Sequence, residues 1–466
     1  MNGKMKRIRI WITDRKIIIS AIAVFILFPS IMSIFPEVKK AVFDSDGEVK
    51  TLADVIAFTG LACCVVLILG CLYEQTKAGI IFAGSQSDAR FKDAVILLGS
   101  KRVVSVISGI YALHQIAVEA SERDSDKKGY VKIICNIFCA CIRESAKNET
   151  KDDKTVRICK KPTIVIQTIV DVLFKDNAGS VYYDCDKDFA EAVFDGISFT
   201  KGKINKTDFY DATLTRTDFE EATLTETSFF GAMLTAGTSF RETTLVEIGF
   251  AGATLAETDF YKATLTKVGF EGAILSAGTS FSEAKLTEIS FVVATLTETG
   301  FYGATLIETD FERAMLTGTD FEKATLTGTG FERATLRIGT SFAKATLSGT
   351  SFEEATLTGT DFDKATLSKV GFEKAILSIG TFFWKTTLNE TDFEKATLNE
   401  TGFGKATLID TYFTDATLTK ADFRGATLTC VDFMRAEFKE VNFRETKLEG
   451  LPYEEIIKKS LELTKK

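Results

Sequence analysis

Histidine is almost missing from this chain: His114 is the only one in 466 residues. Imidazole is the usual general base near neutral pH and a leading metal ligand, so histidine-based catalysis and metal binding have almost nothing to draw on. Proline is nearly as sparse, with 4 in all and none between Pro162 and Pro452. An unbroken ladder of backbone hydrogen bonds requires such a stretch, because proline donates nothing to it. The cysteines number 9, an odd count, and Cys63, Cys64, Cys71, Cys135 and Cys139 stand in apolar stretches. That argues for free thiols in a reducing compartment rather than a disulfide framework. The net charge of −8 is mild for the length.

What is plentiful is a ten-residue phrase. It reads TDFYDATLTR from Thr207, TDFYKATLTK from Thr258, TDFERAMLTG from Thr309 and TDFEKATLNE from Thr391. Each ten divides into two fives with one logic: a small residue sits two places before a large apolar one, and the other places are polar. The pairs are Ala212 with Leu214 and Thr207 with Phe209. A period of five fits neither a strand nor a helix. It fits a chain that turns a corner every five residues and sends both members of each pair inward. Four sides close a coil of about 20 residues, and coils stack at about 4.8 Å. Phenylalanine columns then face each other across the square, with leucine columns on the other two sides.

Four interruptions carry the same argument. Gly237, Gly278, Gly339 and Gly380 each mark one extra residue between a Leu and the next Phe. Successive insertions lie roughly eight, twelve and eight fives apart, all multiples of four. A four-sided coil places them on one corner, where glycine takes the awkward φ.

The stretch from about 189 to 448 resembles the pentapeptide-repeat family, whose pattern is A-(D/N)-L-x-x. The resemblance implies a right-handed quadrilateral β-helix, here of about 13 coils. This chain prefers Thr to Asp or Asn before the Leu, which alters the surface rather than the fold. The repeat domain is assigned to 181–450, with a C-terminal capping helix at 451–466 that covers the last exposed edge.

Ahead of the repeats, 1–16 is basic, with Lys4, Lys6, Arg7, Arg9, Arg15 and Lys16. Two apolar runs, 17–35 and 55–73, are each long enough to cross a bilayer core. They predict a two-helix transmembrane hairpin over 17–73, and the excess of Lys and Arg outside it puts both termini in the cytoplasm. Residues 74–180 read as an α-helical module, with helices over 103–121 and 132–144, and a third opened by Pro162. A polar stretch, 147–154, reads as a linker. The module resembles the one preceding repeats in membrane-anchored bacterial pentapeptide proteins, through Leu98, Gly99, Ser100, Gly109, Ile110, Tyr111, Ala112, Leu113, Ile116, Ala117, Gln167, Val172 and Leu173. Val106 and Val165 stand where that pattern commonly has Arg and Asp. The resemblance thus implies an inner-membrane, multi-pass protein.

No residues emerge as catalytic, cofactor-binding or metal-binding. His114 reads as a surface or half-buried helix residue, and Cys135, Cys139 and Cys141 as a buried helix face. Asp208, Asp218, Asp259, Asp310, Asp320 and Asp361 recur with the repeat and read as a solvated column. The Thr-Leu-Thr triplets, as at Thr325-Leu326-Thr327, could order water as ice-binding solenoids do, but threonine is also what an exposed strand favours. The expected function is therefore a non-enzymatic, membrane-tethered scaffold without cofactor. It would present a docking surface to a protein partner, with no direct nucleic-acid contact and homo-oligomerisation open. The alternatives are a DNA-mimicking pentapeptide protein acting on an enzyme such as gyrase, and an oligomeric membrane effector or channel component. Mimicry needs dense negative charge, which adjacent pairs such as Glu322-Lys323 dilute.

Overall fold

A computed structural model describes residues 86–123, 128–151, 154–159, 161–175 and 181–449. The basic segment 1–16, both apolar runs within 17–73 and the expected capping helix at 451–466 lie outside the described residues. The chain from Arg90 onward forms one compact unit; residues up to Ala89 form another, of which only the start of the first helix is described.

Four helices open the described chain: α1 (Gln86–Leu98), α2 (Val103–Arg123), α3 (Lys128–Arg143) and α4 (Thr163–Phe174). Among the described residues only the stretch Val103–Glu122 is apolar and long enough to cross a membrane. One face of it packs into the core, where Ile110, Leu113 and Ala117 are fully buried, while Val104 and Tyr111 are exposed. Gly109 lets α1 lie close against α2: a Cβ there would meet Leu98 N at 2.7 Å and Ala94 O at 2.8 Å. Val106 and Val165 are both buried, so apolar packing occupies the places of the family's Arg and Asp. Pro162 caps α4, where its missing N–H costs nothing. The stretch read as a linker is instead an antiparallel hairpin, β1 (Ala146–Lys151) and β2 (Lys154–Cys159), with Ala146 opposite Cys159. The alternation of Val156 and Ile158 is its strand signal, and the surrounding polar residues hid it.

The repeats build two parallel sheets of 13 strands each. The first leucine sheet runs from Val193–Asp195 to Glu437–Lys439, and the second from Lys203–Asn205 to Lys447–Glu449. Leucine sits over leucine, as in Leu316 over Leu336 and Leu245 over Leu265. Between the sheets run two phenylalanine sides, joined coil to coil by single bridges such as Asp310 to Gly330 and Ser239 to Asp259.

The interior follows the expected arithmetic. Phe311 stacks on Phe291 at 4.8 Å and on Phe331 at 4.7 Å, with ring planes within 6°. The coil spacing dictates that parallel stack. Across the square the same ring meets Phe301 at 6.0 Å and Phe321 at 5.8 Å, edge to face. Parallel within a column and perpendicular between columns are the two arrangements the aromatic quadrupole favours, each worth ~0.5–1.5 kcal/mol beyond burial.

The small inward slot two places before each Phe holds a buried threonine in most coils. Some of these hydroxyls donate to a carbonyl one coil back, such as Thr381 to Leu357 O at 3.2 Å. Those of Thr299, Thr329, Thr350, Thr360 and Thr391 have no partner. Valine fills the equivalent slot at Val268 and Val370. Replacing Thr360 by Val keeps the volume and removes an unpaired hydroxyl, so it should raise unfolding stability by ~1 kcal/mol, read from a denaturant melt. Thr325→Ala, on the exposed second leucine sheet, should stay within ~0.5 kcal/mol of the parent.

Corners are left-handed even where the residue is not glycine, as at Asp211 (φ 50°), Arg313 (φ 56°) and Lys323 (φ 60°). That strain persists because each corner amide is tied to the next coil, such as Arg313 N to Glu332 O at 2.9 Å. The insertion glycines reach further, with φ of 85°, 84°, 89° and 81° at Gly237, Gly278, Gly339 and Gly380. All four follow strands of the first leucine sheet and therefore lie along one edge.

Candidate interaction surface

The repeat sorts polar chemistry by side. Charged residues concentrate on the phenylalanine sides and the corners. Both leucine sheets are nearly free of charge: strands of the first carry none between Thr213 and Thr419, with Arg337 directly after one of them, and the second only Lys285 between Thr223 and Thr429. Neighbouring threonines on the first sheet can bond laterally, as Thr215 Oγ1 does to Thr235 Oγ1 at 3.4 Å.

On the phenylalanine sides, acids and bases alternate between coils and pair across them. Arg333 reaches Glu354 at 2.9 Å and Glu312 at 3.7 Å. Lys374 reaches Glu353 at 2.8 Å and Glu354 at 3.3 Å, and Lys344 reaches Glu322 at 2.8 Å. Exposed pairs of this kind add little stability individually. Together they break up the negative potential. A shallow hollow of about 390 Å³ over Gly328 and Gly330 is rimmed by Glu308, Asp310, Glu312 and Glu332, with Arg333 at its edge.

The aspartates before each Phe have a structural task that composition did not reveal. Asp310 Oδ1 accepts the Glu312 N–H at 2.7 Å, Asp320 the Glu322 N–H at 2.8 Å and Asp361 the Asp363 N–H at 2.7 Å. Asp208, Asp218 and Asp259 do the same for Tyr210, Glu220 and Tyr261. Where glycine replaces the acid at Gly330 and Gly371, a glutamate two places on, Glu332 or Glu373, folds its carboxylate back over the glycine. The sequence signal was there to read: Asp or Ser at this position in most coils, and at Gly269, Gly330 and Gly371 a Glu two places on.

These carboxylates titrate in two opposed directions. Lys344 beside Glu322, Arg333 beside Glu354 and Arg435 beside Asp415 hold those acids below their ordinary values. Their contribution is present above the ordinary carboxylate range and is lost as pH falls through the lowered values. Burial pushes Asp361, Glu373 and Asp392 upward. They take up protons earlier folded than unfolded, so they stabilise as pH falls through the raised values. Melting temperature should therefore hold or rise slightly from neutrality to about pH 5 and drop only below about pH 4. Circular-dichroism melts across that range test it, and a drop beginning near pH 6 would contradict it.

The remaining sequence candidates resolve simply. His114 is half-buried, its Nδ1 3.4 Å from Tyr182 Oη. Cys135 and Cys139 are buried on α3, and Cys141 is partly buried. The adjoining Cys139 thiol, together with burial, pushes Cys135 up to about 12, so it stays an unreactive thiol near neutral pH. Among the described residues no cluster of His, Cys, Asp or Glu is arranged to hold a metal.

Two family models described as pentapeptide repeats match the chain, one over 311–356 and 403–447, the other over 192–231, 277–313 and 338–378. A search of curated proteins returns no match. Similar solved structures include HetL, a pentapeptide repeat protein involved in heterocyst differentiation regulation from the cyanobacterium Nostoc sp. strain PCC 7120. It is 19% identical, covers 54% of this chain and 90% of its own, and has a TM-score of 0.18. A pentapeptide repeat protein from the Arabidopsis thaliana thylakoid lumen is 26% identical, covering 22% of this chain and 67% of its own, at a TM-score of 0.18. QnrB1, a plasmid-mediated fluoroquinolone resistance protein, is 16% identical, covering 48% of this chain and 94% of its own, at a TM-score of 0.22. Pentapeptide-repeat models thus match this chain at intervals from 192 to 447, through the same coils that carry the inward Phe and Leu columns.

Proposed function

We propose that the chain is a non-enzymatic scaffold, tethered to the cytoplasmic face of an inner membrane, whose solenoid serves as an extended docking surface for proteins. One observation carries the reading. The solenoid presents long regular columns, charge-paired on two sides and uncharged on the other two, with no cluster poised for chemistry among the described residues. Regular columns suit extended or repetitive protein partners, which gain by engaging several rungs at once. The tether rests on the apolar runs 17–35 and 55–73 and their basic flank. DNA mimicry would need a continuous anionic surface, and Arg333 and Lys374 interrupt it where glutamates are densest.

Two measurements test this. After alkaline carbonate washing, the full chain should stay with the membrane pellet, and its release would overturn the tether. Added to a gyrase supercoiling assay, the chain should leave the rate unchanged. Inhibition that weakens with salt would favour mimicry instead.

A further inference from the structure

The two leucine sheets share one repeat but are not equivalent. The second carries mostly threonine with a few serines, Asn389 and Lys285, and Ile307 (38%) is its only strongly exposed aliphatic among the described residues. The first exposes Met233 (51%), Ile274 (51%), Met315 (43%) and Ile376 (49%). The insertion edge beside it adds Ile338 (75%) and Ile379 (57%). Each is the residue directly before an insertion glycine, which swings it out of the coil. Most of the solenoid's strongly exposed aliphatic side chains thus lie on one sheet and its border; Ile307 on the second sheet, and Val293 (56%) and Met434 (39%) on the phenylalanine sides, lie elsewhere.

We infer that the first leucine sheet is a self-association face, covered by a second copy of this chain packed antiparallel against it. The lack of charge favours a copy over a foreign protein. Such a face offers nothing for electrostatic complementarity to select, yet against itself it meets no like-charge repulsion.

Shape argues the same way. Met233, Ile274 and Met315 recur on every second coil, about 9.6 Å apart, with Thr254 and Thr295 between them. Across a two-fold axis set midway between the coils of Ile274 and Thr295, Met233, Ile274 and Met315 of one copy fall over Thr335, Thr295 and Thr254 of the other, giving an isologous contact. Ile376, three coils beyond Met315, lies outside that alternation. The uncharged strands from Thr213–Thr215 to Thr417–Thr419 span about 48 Å by about 10 Å, and the isoleucine border widens that. Two copies would bury on the order of 1,000 Å², the size at which specific, reversible interfaces begin.

The inference deepens the docking reading above, but its test reads stoichiometry rather than membrane retention, so either can fail alone. The full chain in mild detergent is weighed by light scattering across a concentration series. Wild type should pass from monomer to dimer. Met315→Arg with Ile376→Arg should raise the dissociation constant about 100-fold or more at an unchanged melting temperature. Thr325→Arg with Thr366→Arg, on the second leucine sheet, should leave dimerisation intact. A wild type that stays monomeric, a dimer that survives both arginines on the first sheet, or equal loss from either pair would overturn it.

Discussion

Phe311→Asp is expected to destroy cooperative melting of the repeat domain, at a cost of more than ~5 kcal/mol. The ring is fully buried, touches stacked neighbours above and below, and meets two more rings edge-on across the square. An aspartate there loses all four contacts and strands a carboxylate in a closed interior with no cation beside it. Because each coil leans only on its neighbours, the damage should divide the solenoid rather than unfold it evenly. Limited proteolysis should then cut near the substituted coil and release two protected halves. Phe311→Leu separates charge from shape: leucine is the residue of the adjoining sides, and its cost should be only ~1–2 kcal/mol. A near-parental melt for the aspartate variant would mean that the Phe column does not face inward.

The features written as a period could be read without coordinates. Five-residue spacing predicted the columns, and the spacing of Gly237, Gly278, Gly339 and Gly380 predicted that they share an edge, where the chain has them. Apolar faces likewise marked α2 and α3, and Pro162 marked the start of α4, because helix starts and amphipathic faces are local properties. What escaped depends on partners distant in sequence or on single atoms. The hairpin Ala146–Cys159 was masked by its polar composition. The aspartate column looked solvated because its hydrogen bonds to backbone amides follow from a corner geometry that composition does not announce. The aliphatic bias of one leucine sheet appears only when every second ten-residue phrase is aligned, since Met315 and Thr325 occupy identical places in the phrase but lie on different sheets. The first coil's lid was hidden for a similar reason: its residues belong to a helix outside the repeat.

That lid supplies a second large effect, with a different spatial signature. Phe174, the last residue of α4, is buried against Phe199 at 5.5 Å and Phe189 at 6.2 Å, so it continues the aromatic stack beyond the first coil. Beside it, Gln167 Nε2 donates to Ser198 O at 2.8 Å, and Gln167 Oε1 accepts Ser198 N–H at 2.8 Å. One side-chain amide thereby stands in for the missing preceding coil. Lys187 fills the small inward slot of the first coil, donating to Cys185 O at 2.8 Å and Asn205 O at 3.0 Å, with burial lowering its pKa. A lysine two places before an inward Phe was the one visible hint that this coil ends a stack. Phe174→Ala should cost ~3–4 kcal/mol and Gln167→Leu ~2 kcal/mol, the second because both edge groups of Ser198 lose their partner. Neither should divide the solenoid in its middle. Hydrogen exchange should instead quicken at the amides of Lys187, Phe189 and Glu191, which bond to the second coil, while those of Phe403 and Phe413 stay protected. Equal quickening at both ends would mean that α4 supports the whole domain rather than closing one edge, because in a stack held only by neighbouring coils a lost lid can fray the coils beneath it but cannot reach the far end.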